Sequence, residues 1–236
     1  MIIEKDDREE ISKTRAALRL TAAEVEQARM CTGYIACPAN PPFASTYQSA
    51  GSVCATADAD DSSCKPDRIV TSAHMFVSER NPISRNIAPA CEFYNYNGFR
   101  SSVVMSDLGL ANPVPWAHNP HHSYGSDKVV LRLSKQIPGC KPYVIGEGVK
   151  AKDKVIAVTY RQSGMAARFK GKEPIAYPCE VLRTFRTREN GPQVFYTDCD
   201  ATPGGSGGFL LSRSKVSKKL FLNGIIAWGG PEDRNG

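Results

Sequence analysis

Three short segments of the chain place a histidine, an aspartate and a serine where they could form a hydrolytic site. A β-branched stretch, Arg68–Ser72, leads into His74, Asp127 opens a second apolar stretch, and Ser206 lies within the run Gly-Gly-Ser-Gly-Gly. A serine hydroxyl is a weak nucleophile at neutral pH and needs a base within hydrogen-bond reach. Histidine can accept that proton and later return it, while a carboxylate on its other ring nitrogen fixes the tautomer. These residue types predict His74, Asp127 and Ser206 as a catalytic set for acyl transfer.

The glycines around Ser206 predict where the negative charge of such a reaction would be stabilised. Glycine lets the backbone turn sharply, so that neighbouring N–H groups can point at one position. The N–H groups of Gly204 and Ser206 are the expected oxyanion hole, and the loss of one donor from such a site costs roughly 3–4 kcal/mol of transition-state stabilisation.

A second aspartate competes for the role of the acid, since Asp107 also lies between His74 and Ser206 in the chain. Asp107 precedes Leu-Gly-Leu-Ala-Asn-Pro, which does not continue as a strand, whereas Asp127 precedes Lys-Val-Val-Leu-Arg-Leu. An apolar β-branched run of that kind is typical of a strand. The pattern therefore favours Asp127.

Three further histidines could suggest a metal site, and their surroundings favour a solvated loop instead. His118, His121 and His122 sit among Pro and Asn residues with no carboxylate at ligand spacing. Structural and catalytic metal sites need three or four ligands at defined spacings. The sequence therefore predicts no metal, and the serine chemistry needs no organic cofactor.

Four motifs, in the same order along the chain, resemble those of the trypsin/chymotrypsin-like serine protease family. Segment 71–74 (TSAH) is similar to TAAH, 127–133 (DKVVLRL) to the D-[IV]-A-[LV]-L-x-L strand, 204–208 (GGSGG) to GDSGG, and 224–229 (GIIAWG) to GIVSWG. The resemblance covers roughly residues 45–230. It implies an all-β fold of two antiparallel β-barrels with the active site in the cleft between them. It also implies a serine endopeptidase that works through an acyl-enzyme intermediate.

Two departures from the family pattern narrow the resemblance. Gly205 replaces the aspartate that receives a freed N-terminal amine in activated animal zymogens, and Met75 replaces the cysteine after the histidine. Both features resemble the bacterial branch, including the glutamyl endopeptidases. The threonine and histidine of a glutamate-selective pocket are nevertheless absent, because Ala201 and Ile226 stand at the matching places. The sequence therefore does not predict glutamate specificity.

The resemblance also implies which residues would contact the substrate. Ala227, Trp228 and Gly229 match the strand that borders the S1 pocket and pairs with the substrate backbone. Asp200 lies six residues before Ser206, the offset at which trypsin-like enzymes bind Lys or Arg at P1. A carboxylate there would select a cation by charge pairing. Because the loop before Ser206 differs from the family pattern, the alternative is that Asp200 stabilises its own turn.

Short apolar or β-branched runs separated by Gly, Pro, Asn and Ser predict many short strands rather than an α/β fold. The predicted strands are 33–36, 52–56, 68–72, 101–105, 128–133, 154–159, 181–187, 193–197, 208–211 and 220–228. Residues 8–29 contain neither Gly nor Pro, and Thr21-x-x-Glu24 has the form of a capping box, so one or two short helices are expected there.

The same pattern predicts four parts of the chain. They are a helical N-terminal extension (1–30), a first barrel with His74 and Asp127 (31–135), a connection (136–146) and a second barrel with Ser206 (147–236). Only seven residues follow Gly229, whereas the family continues with a further strand and a helix. The second barrel is therefore expected to be incomplete at its C-terminal end or to be completed by another segment, for which the N-terminal extension is the candidate.

Eight cysteines without a CxxC pair favour a disulfide framework over a metal or redox site. Cys54 and Cys64 flank one polar loop between predicted strands, and Cys179 and Cys199 flank another hairpin, so these two pairs are the predicted bridges. The other four cysteines stay unassigned. The framework predicts an extracellular or periplasmic protein, although residues 1–10 do not have the form of a signal peptide.

The net charge of +6 comes from residues 146–236, where Lys and Arg recur at alternating or spaced positions. That spacing is typical of the solvated face of a sheet, and few aromatic residues are interleaved as nucleic-acid binding would require. No segment is apolar for 18 residues, so no membrane span is expected. The predicted partner is a protein or peptide substrate of a monomeric enzyme. The alternative is a catalytically silent binding module that keeps the protease fold.

Overall fold

The computed structural model describes residues 9–37, 46–54, 64–72, 91–104, 128–146, 148–160, 173–186, 193–199 and 205–226. Within them lie the helices α1 (Ile11–Thr14) and α2 (Ala22–Cys31). The strands are β1 (Glu9–Glu10), β2 (Thr32–Cys37), β3 (Thr46–Cys54), β4 (Arg68–Thr71), β5 (Glu92–Asn95), β6 (Arg100–Val104), β7 (Val129–Leu133), β8 (Tyr143–Val144), β9 (Lys154–Thr159), β10 (Ile175–Arg186), β11 (Gln193–Thr197), β12 (Phe209–Arg213) and β13 (Leu220–Ile225).

Six of these strands close into an antiparallel barrel. The order is β2-β5-β6-β7-β4-β3, and β3 pairs back with β2, so that no strand of the six is left at an edge. Alternation along β7 shows how the strands are oriented. Val129, Leu131 and Leu133 are buried, while Val130 and Arg132 between them are exposed, because successive side chains of a strand point to opposite faces.

Five strands of the second half of the chain form a six-stranded antiparallel sheet together with β1 from the N-terminal segment. Its order is β1-β10-β9-β12-β13, with β11 paired to the far part of β10. β8 runs parallel to the last two residues of β3, outside the ring of six strands. The next residue, Ile145, forms a bridge with Leu222 of β13. The all-β fold predicted from the motifs is confirmed, and the chain has the chymotrypsin-like pairing of one barrel with a second sheet.

One hydrophobic cluster contains residues of both sheets. Phe209 of β12, which is 1% exposed, packs edge-on against Tyr143 at 5.4 Å between ring centroids. Its ring also covers Gly51 of β3, where a Cβ atom would come within 2.2 Å of the ring. The absence of a side chain at Gly51 therefore lets β3 of the barrel pack closely against the start of β12, three residues after Ser206.

The N-terminal extension is attached to the second sheet by pairing and by charge. α2 begins with the predicted capping box, in which Thr21 Oγ1 accepts from the N–H of Glu24 and the Glu24 carboxylate accepts from the N–H of Thr21. Arg213 of β12 donates two hydrogen bonds, of 2.6 and 3.0 Å, to the same carboxylate. Burial alone would raise the pKa of Glu24, but the hydrogen bonds from Arg213 and Thr21 hold it below its usual value. Arg29 forms a second ion pair with Glu173, just before β10.

All eight cysteines are paired in the structure. The disulfides are Cys31–Cys140, Cys37–Cys91, Cys54–Cys64 and Cys179–Cys199. The last two are the pairs that the hairpin positions favoured, and the first two join segments far apart in the sequence. Four disulfides indicate an oxidising environment. No helix in the described ranges is long and apolar enough to cross a membrane.

Candidate active site

The predicted nucleophile lies in a tight turn at the start of β12. The N–H of Gly208 donates to the carbonyl of Gly205 at 2.9 Å, which makes Ser206 and Gly207 the central residues of a four-residue turn. Gly207 has φ of +79°, the backbone region that a type II turn requires at its third position. A side chain is also sterically excluded there, because a Cβ atom would lie 2.1 Å from the carbonyl oxygen of Ser49 and 2.2 Å from Thr71 Oγ1.

Ser206 is partly exposed, although Gly205, Gly207 and Gly208 around it are buried. No described residue forms a hydrogen bond with its hydroxyl group. The turn thus holds a fixed backbone and presents one accessible hydroxyl. This is the arrangement that a serine nucleophile needs.

Backbone hydrogen bonds hold the turn from both sides. The carbonyl of Ser206 accepts from the N–H of Ser49 in β3 at 2.9 Å, and the N–H of Gly207 donates to the carbonyl of Ile226 at 2.6 Å. The N–H of Ile226 in turn donates to the carbonyl of Gly208 at 2.8 Å. The first barrel and the end of the second sheet therefore meet at this turn.

Four buried hydroxyl groups line the space beneath the turn. Ser49, Thr71, Ser72 and Thr159 are each no more than 2% exposed. Ser49 Oγ lies 2.8 Å from Thr159 Oγ1, and Thr71 Oγ1 donates to the Ser49 carbonyl at 2.7 Å. The contact between Ser49 and Thr159 joins the first barrel to β9. Separating the two strands would cost free energy, because it would leave a buried hydroxyl without a hydrogen-bond partner.

The strand that leads to the predicted base meets the turn directly. Ser72 Oγ donates to the carbonyl of Ile226 at 2.8 Å, the same oxygen that accepts from Gly207. Thr71 of β4 is the register partner of Val129 of β7. The chain segments that continue to His74 and Asp127 therefore begin side by side, and next to the Ser206 turn.

Most of the other predicted site residues lie outside the described residues. They are His74, Asp127, Gly204, Asp200, Ala227, Trp228 and Gly229. Within the described ranges, no three His, Cys, Asp or Glu side chains cluster as a metal site would require. Of the predicted set, the structure describes Ser206 and the backbone on which it sits.

Two residues at this site were not anticipated from the sequence. Ser49 and Thr159 are 110 positions apart, in different sheets, and their hydroxyl groups meet beneath the turn. Thr159 ends a β-branched strand and Ser49 lies in a polar stretch, so neither residue type is unusual in its place. Only the structure shows that Ser49 lies in a buried part of β3.

Comparison with known proteins finds structures of similar fold, but no matching family model and no matching curated protein. Among solved structures, the thermostable serine protease AL20 from an extremophilic microorganism is similar over 86% of this chain and 87% of its own, with a TM-score of 0.53 at 14% identity. The HtrA-type protease AlgW, in a structure with a tripeptide, is similar over 86% of this chain with a TM-score of 0.51 at 15% identity.

The chain spans 58% of the length of the HtrA-type protease. At such low identity the two likenesses concern the fold, which is the chymotrypsin-like fold of serine proteases. They give no support to the narrower resemblance to the glutamyl endopeptidase branch. The turn at Ser206 and the two strands that abut it are thus set in a fold that serine proteases share.

Proposed function

We propose that the chain is a serine endopeptidase in which Ser206 is the nucleophile, His74 the general base and Asp127 the residue that orients His74. The observation that carries the proposal is the shared acceptor at Ile226. Its carbonyl accepts hydrogen bonds from Ser72 Oγ, two residues before His74 in the sequence, at 2.8 Å and from the N–H of Gly207 in the Ser206 turn at 2.6 Å.

Short chain lengths support the proposed triad. His74 follows Ser72 by two residues, and Asp127 precedes Val129 by two. Two residues span at most about 7 Å of extended chain. Because Val129 is paired with Thr71, and Ser72 contacts the Ile226 carbonyl that also holds the Ser206 turn, the segments leading to His74 and Asp127 start next to each other and next to that turn. Triads are defined by this spatial arrangement and not by sequence spacing.

In the proposed reaction Ser206 Oγ attacks the carbonyl carbon of the scissile peptide as its proton passes to His74. The N–H groups of Gly204 and Ser206 would stabilise the oxyanion that forms. His74 then protonates the leaving amine as the C–N bond breaks, and a water molecule, deprotonated by His74, hydrolyses the acyl-enzyme. These steps need no cofactor.

An active-site-directed fluorophosphonate tests the proposal without knowledge of the substrate. We expect the purified chain to be labelled at Ser206, and Ser206→Ala and His74→Ala each to reduce the labelling rate at least about 1,000-fold. The site of labelling is read by peptide mass spectrometry. Equal labelling of the wild type and Ser206→Ala, or labelling of neither, would leave the silent binding module as the better reading of this fold.

The same assay discriminates between the two candidate acids. Asp127→Asn should reduce the labelling rate strongly because it removes the carboxylate that orients His74, whereas Asp107→Asn should label at the wild-type rate. The reverse result would transfer the role to Asp107.

A preference for Lys or Arg at P1 is a narrower proposal that rests on Asp200. Its carboxylate would pair with the cationic side chain of the substrate. We expect digestion of a peptide library to produce cleavage after Lys and Arg, and Asp200→Ser to remove that preference. Cleavage without it, or a preference that survives the substitution, would leave Asp200 as a residue of its own turn.

The proposed partner is a protein or peptide substrate, in line with the fold shared with peptide-bound AlgW. Four disulfides support an extracellular or periplasmic site of action. Gly205, at the place of the zymogen aspartate, supports an enzyme that is not activated through an N-terminal salt bridge.

A further inference from the structure

We infer that Ser49 and Thr159 are positioning residues that orient the N–H of Ser206 toward the oxyanion. This inference rests on the proposed function and adds two residues to its site.

The hydroxyl groups form a series of hydrogen bonds that ends on the turn. The N–H of Tyr160 donates to Ser49 Oγ at 2.9 Å, Ser49 Oγ lies 2.8 Å from Thr159 Oγ1, and Thr159 Oγ1 donates to the carbonyl of Gly205 at 3.3 Å. Each hydroxyl carries one hydrogen. If Ser49 donates to Thr159, the hydrogen of Thr159 is available for Gly205.

The carbonyl of Gly205 matters because it belongs to the same peptide group as the N–H of Ser206. A trans peptide is planar, so its C=O and N–H point in opposite directions. A hydrogen bond that holds the Gly205 oxygen beneath the turn therefore aims the Ser206 N–H away from the buried hydroxyls. The backbone N–H of Ser49 holds the next carbonyl, that of Ser206, at 2.9 Å. Ser49 thus acts on both peptide groups that flank the nucleophile.

The size of the effect follows from the geometry. The 3.3 Å contact with Gly205 is longer than an optimal O–H···O bond, and the carbonyl of Tyr160 at 3.4 Å competes for the same hydrogen. The N–H of Gly208 also holds the Gly205 carbonyl. We therefore expect loss of the Thr159 hydroxyl to cost about tenfold in rate, below the 100-fold or more that follows from removal of an oxyanion donor itself.

Thr159→Val removes the hydroxyl and keeps the shape of the side chain. Saturating fluorophosphonate kinetics should show the maximal labelling rate falling about tenfold, while the concentration for half-maximal rate changes less than about twofold. Thr159→Ser should restore the rate, because it restores the hydroxyl. Ser49→Ala should lower the rate in the same way, since it breaks the series one step earlier.

Ser101→Ala is the matched control. Ser101 is also 2% exposed, accepts a hydrogen bond from a backbone N–H (Lys135, 3.1 Å) and lies 3.1 Å from a second hydroxyl (Ser134), but it is in β6. Its loss should lower the melting temperature about as much as Ser49→Ala does and leave the labelling rate unchanged. A merely structural role of Ser49 would make the two variants behave alike in both measurements.

The outcomes separate this inference from the proposed function. If the wild type is labelled and folded Thr159→Val labels at the wild-type rate, or if Thr159→Ser does not restore the rate, the inference is overturned and the protease proposal stands. If the wild type is not labelled, the proposed function fails. The amide resonance of Ser206 in a two-dimensional NMR spectrum then decides the positioning role: a shift in Thr159→Val but not in Ser101→Ala supports it, and no shift overturns it.

Discussion

Gly207→Ala is expected to destabilise the protein by about 3 kcal/mol and to lower the fluorophosphonate labelling rate at least about 100-fold. An alanine at φ of +79° is strained by roughly 1–2 kcal/mol. Its Cβ would also lie 2.1 Å from the Ser49 carbonyl oxygen, so the turn or β3 must move. Movement of the turn displaces the Ser206 backbone, and a shift of about 1 Å at a catalytic group can cost 100-fold in rate.

Gly98→Ala separates backbone strain from displacement of the turn. Gly98 has φ of +76° but lies exposed in the turn between β5 and β6. We expect this variant to lose about 1 kcal/mol in urea denaturation and to label like the wild type. If Gly207→Ala were no less stable than Gly98→Ala and labelled within tenfold of the wild type, the close packing of the turn on Ser49 and Thr71 would be wrong.

The strands that consist of apolar or β-branched runs were predictable from the sequence. The stretches 154–159 and 193–197 were predicted as strands and correspond to β9 and β11. β10 begins six residues earlier than the predicted strand (181–187), and its first half contains Pro178, a residue type that is rare inside strands. The N–H of Val181 donates to Asp153 on the β9 side. The N–H groups of alternate residues in a strand point to the same neighbouring strand. Pro178 is three residues before Val181, so an N–H at Pro178 would point away from β9 and is not needed for pairing with it.

Elements that depend on distant partners were not predictable. β1 pairs with Ala176 and Ile175, and β8 pairs with Val53 and Cys54. Each strand is two residues long and is formed only through this pairing with a distant segment. A two-residue strand has no periodicity of its own. The N-terminal segment adds the two-residue strand β1 to the second sheet, beside β10.

The same distinction holds at the candidate site. Ser206 stands out because glycines surround it, which is a local pattern. The role of Ser49 and Thr159 depends on two buried hydroxyls that meet across two sheets, 110 positions apart. Serine and threonine are common in strands and loops, so only the fold reveals that these two are partners of the turn.

Removal of the Cys31–Cys140 disulfide is expected to cost about 4 kcal/mol of unfolding free energy. The two cysteines are 109 positions apart, so the bridge closes a loop that contains the whole first barrel. The Cys37–Cys91 bridge shortens the loop that remains to be closed to about 55 positions. Closing a loop of that length lowers the entropy of the unfolded chain by an amount equivalent to about 4.2 kcal/mol. The bridge also fixes the C-terminal end of α2 to the connection before β8.

Cys54→Ala with Cys64→Ala is the matched control for Cys31→Ala with Cys140→Ala. Its loop of 10 positions predicts a loss of only about 2.7 kcal/mol. Urea denaturation at pH 7, with free thiols counted by alkylation and mass spectrometry, measures both losses on otherwise intact chains. The long-loop variant should therefore unfold at lower urea, because the loop opened in its unfolded state is about five times as long as the loop opened in the control. Equal losses in the two variants would mean that loop closure does not determine how these bridges stabilise the fold.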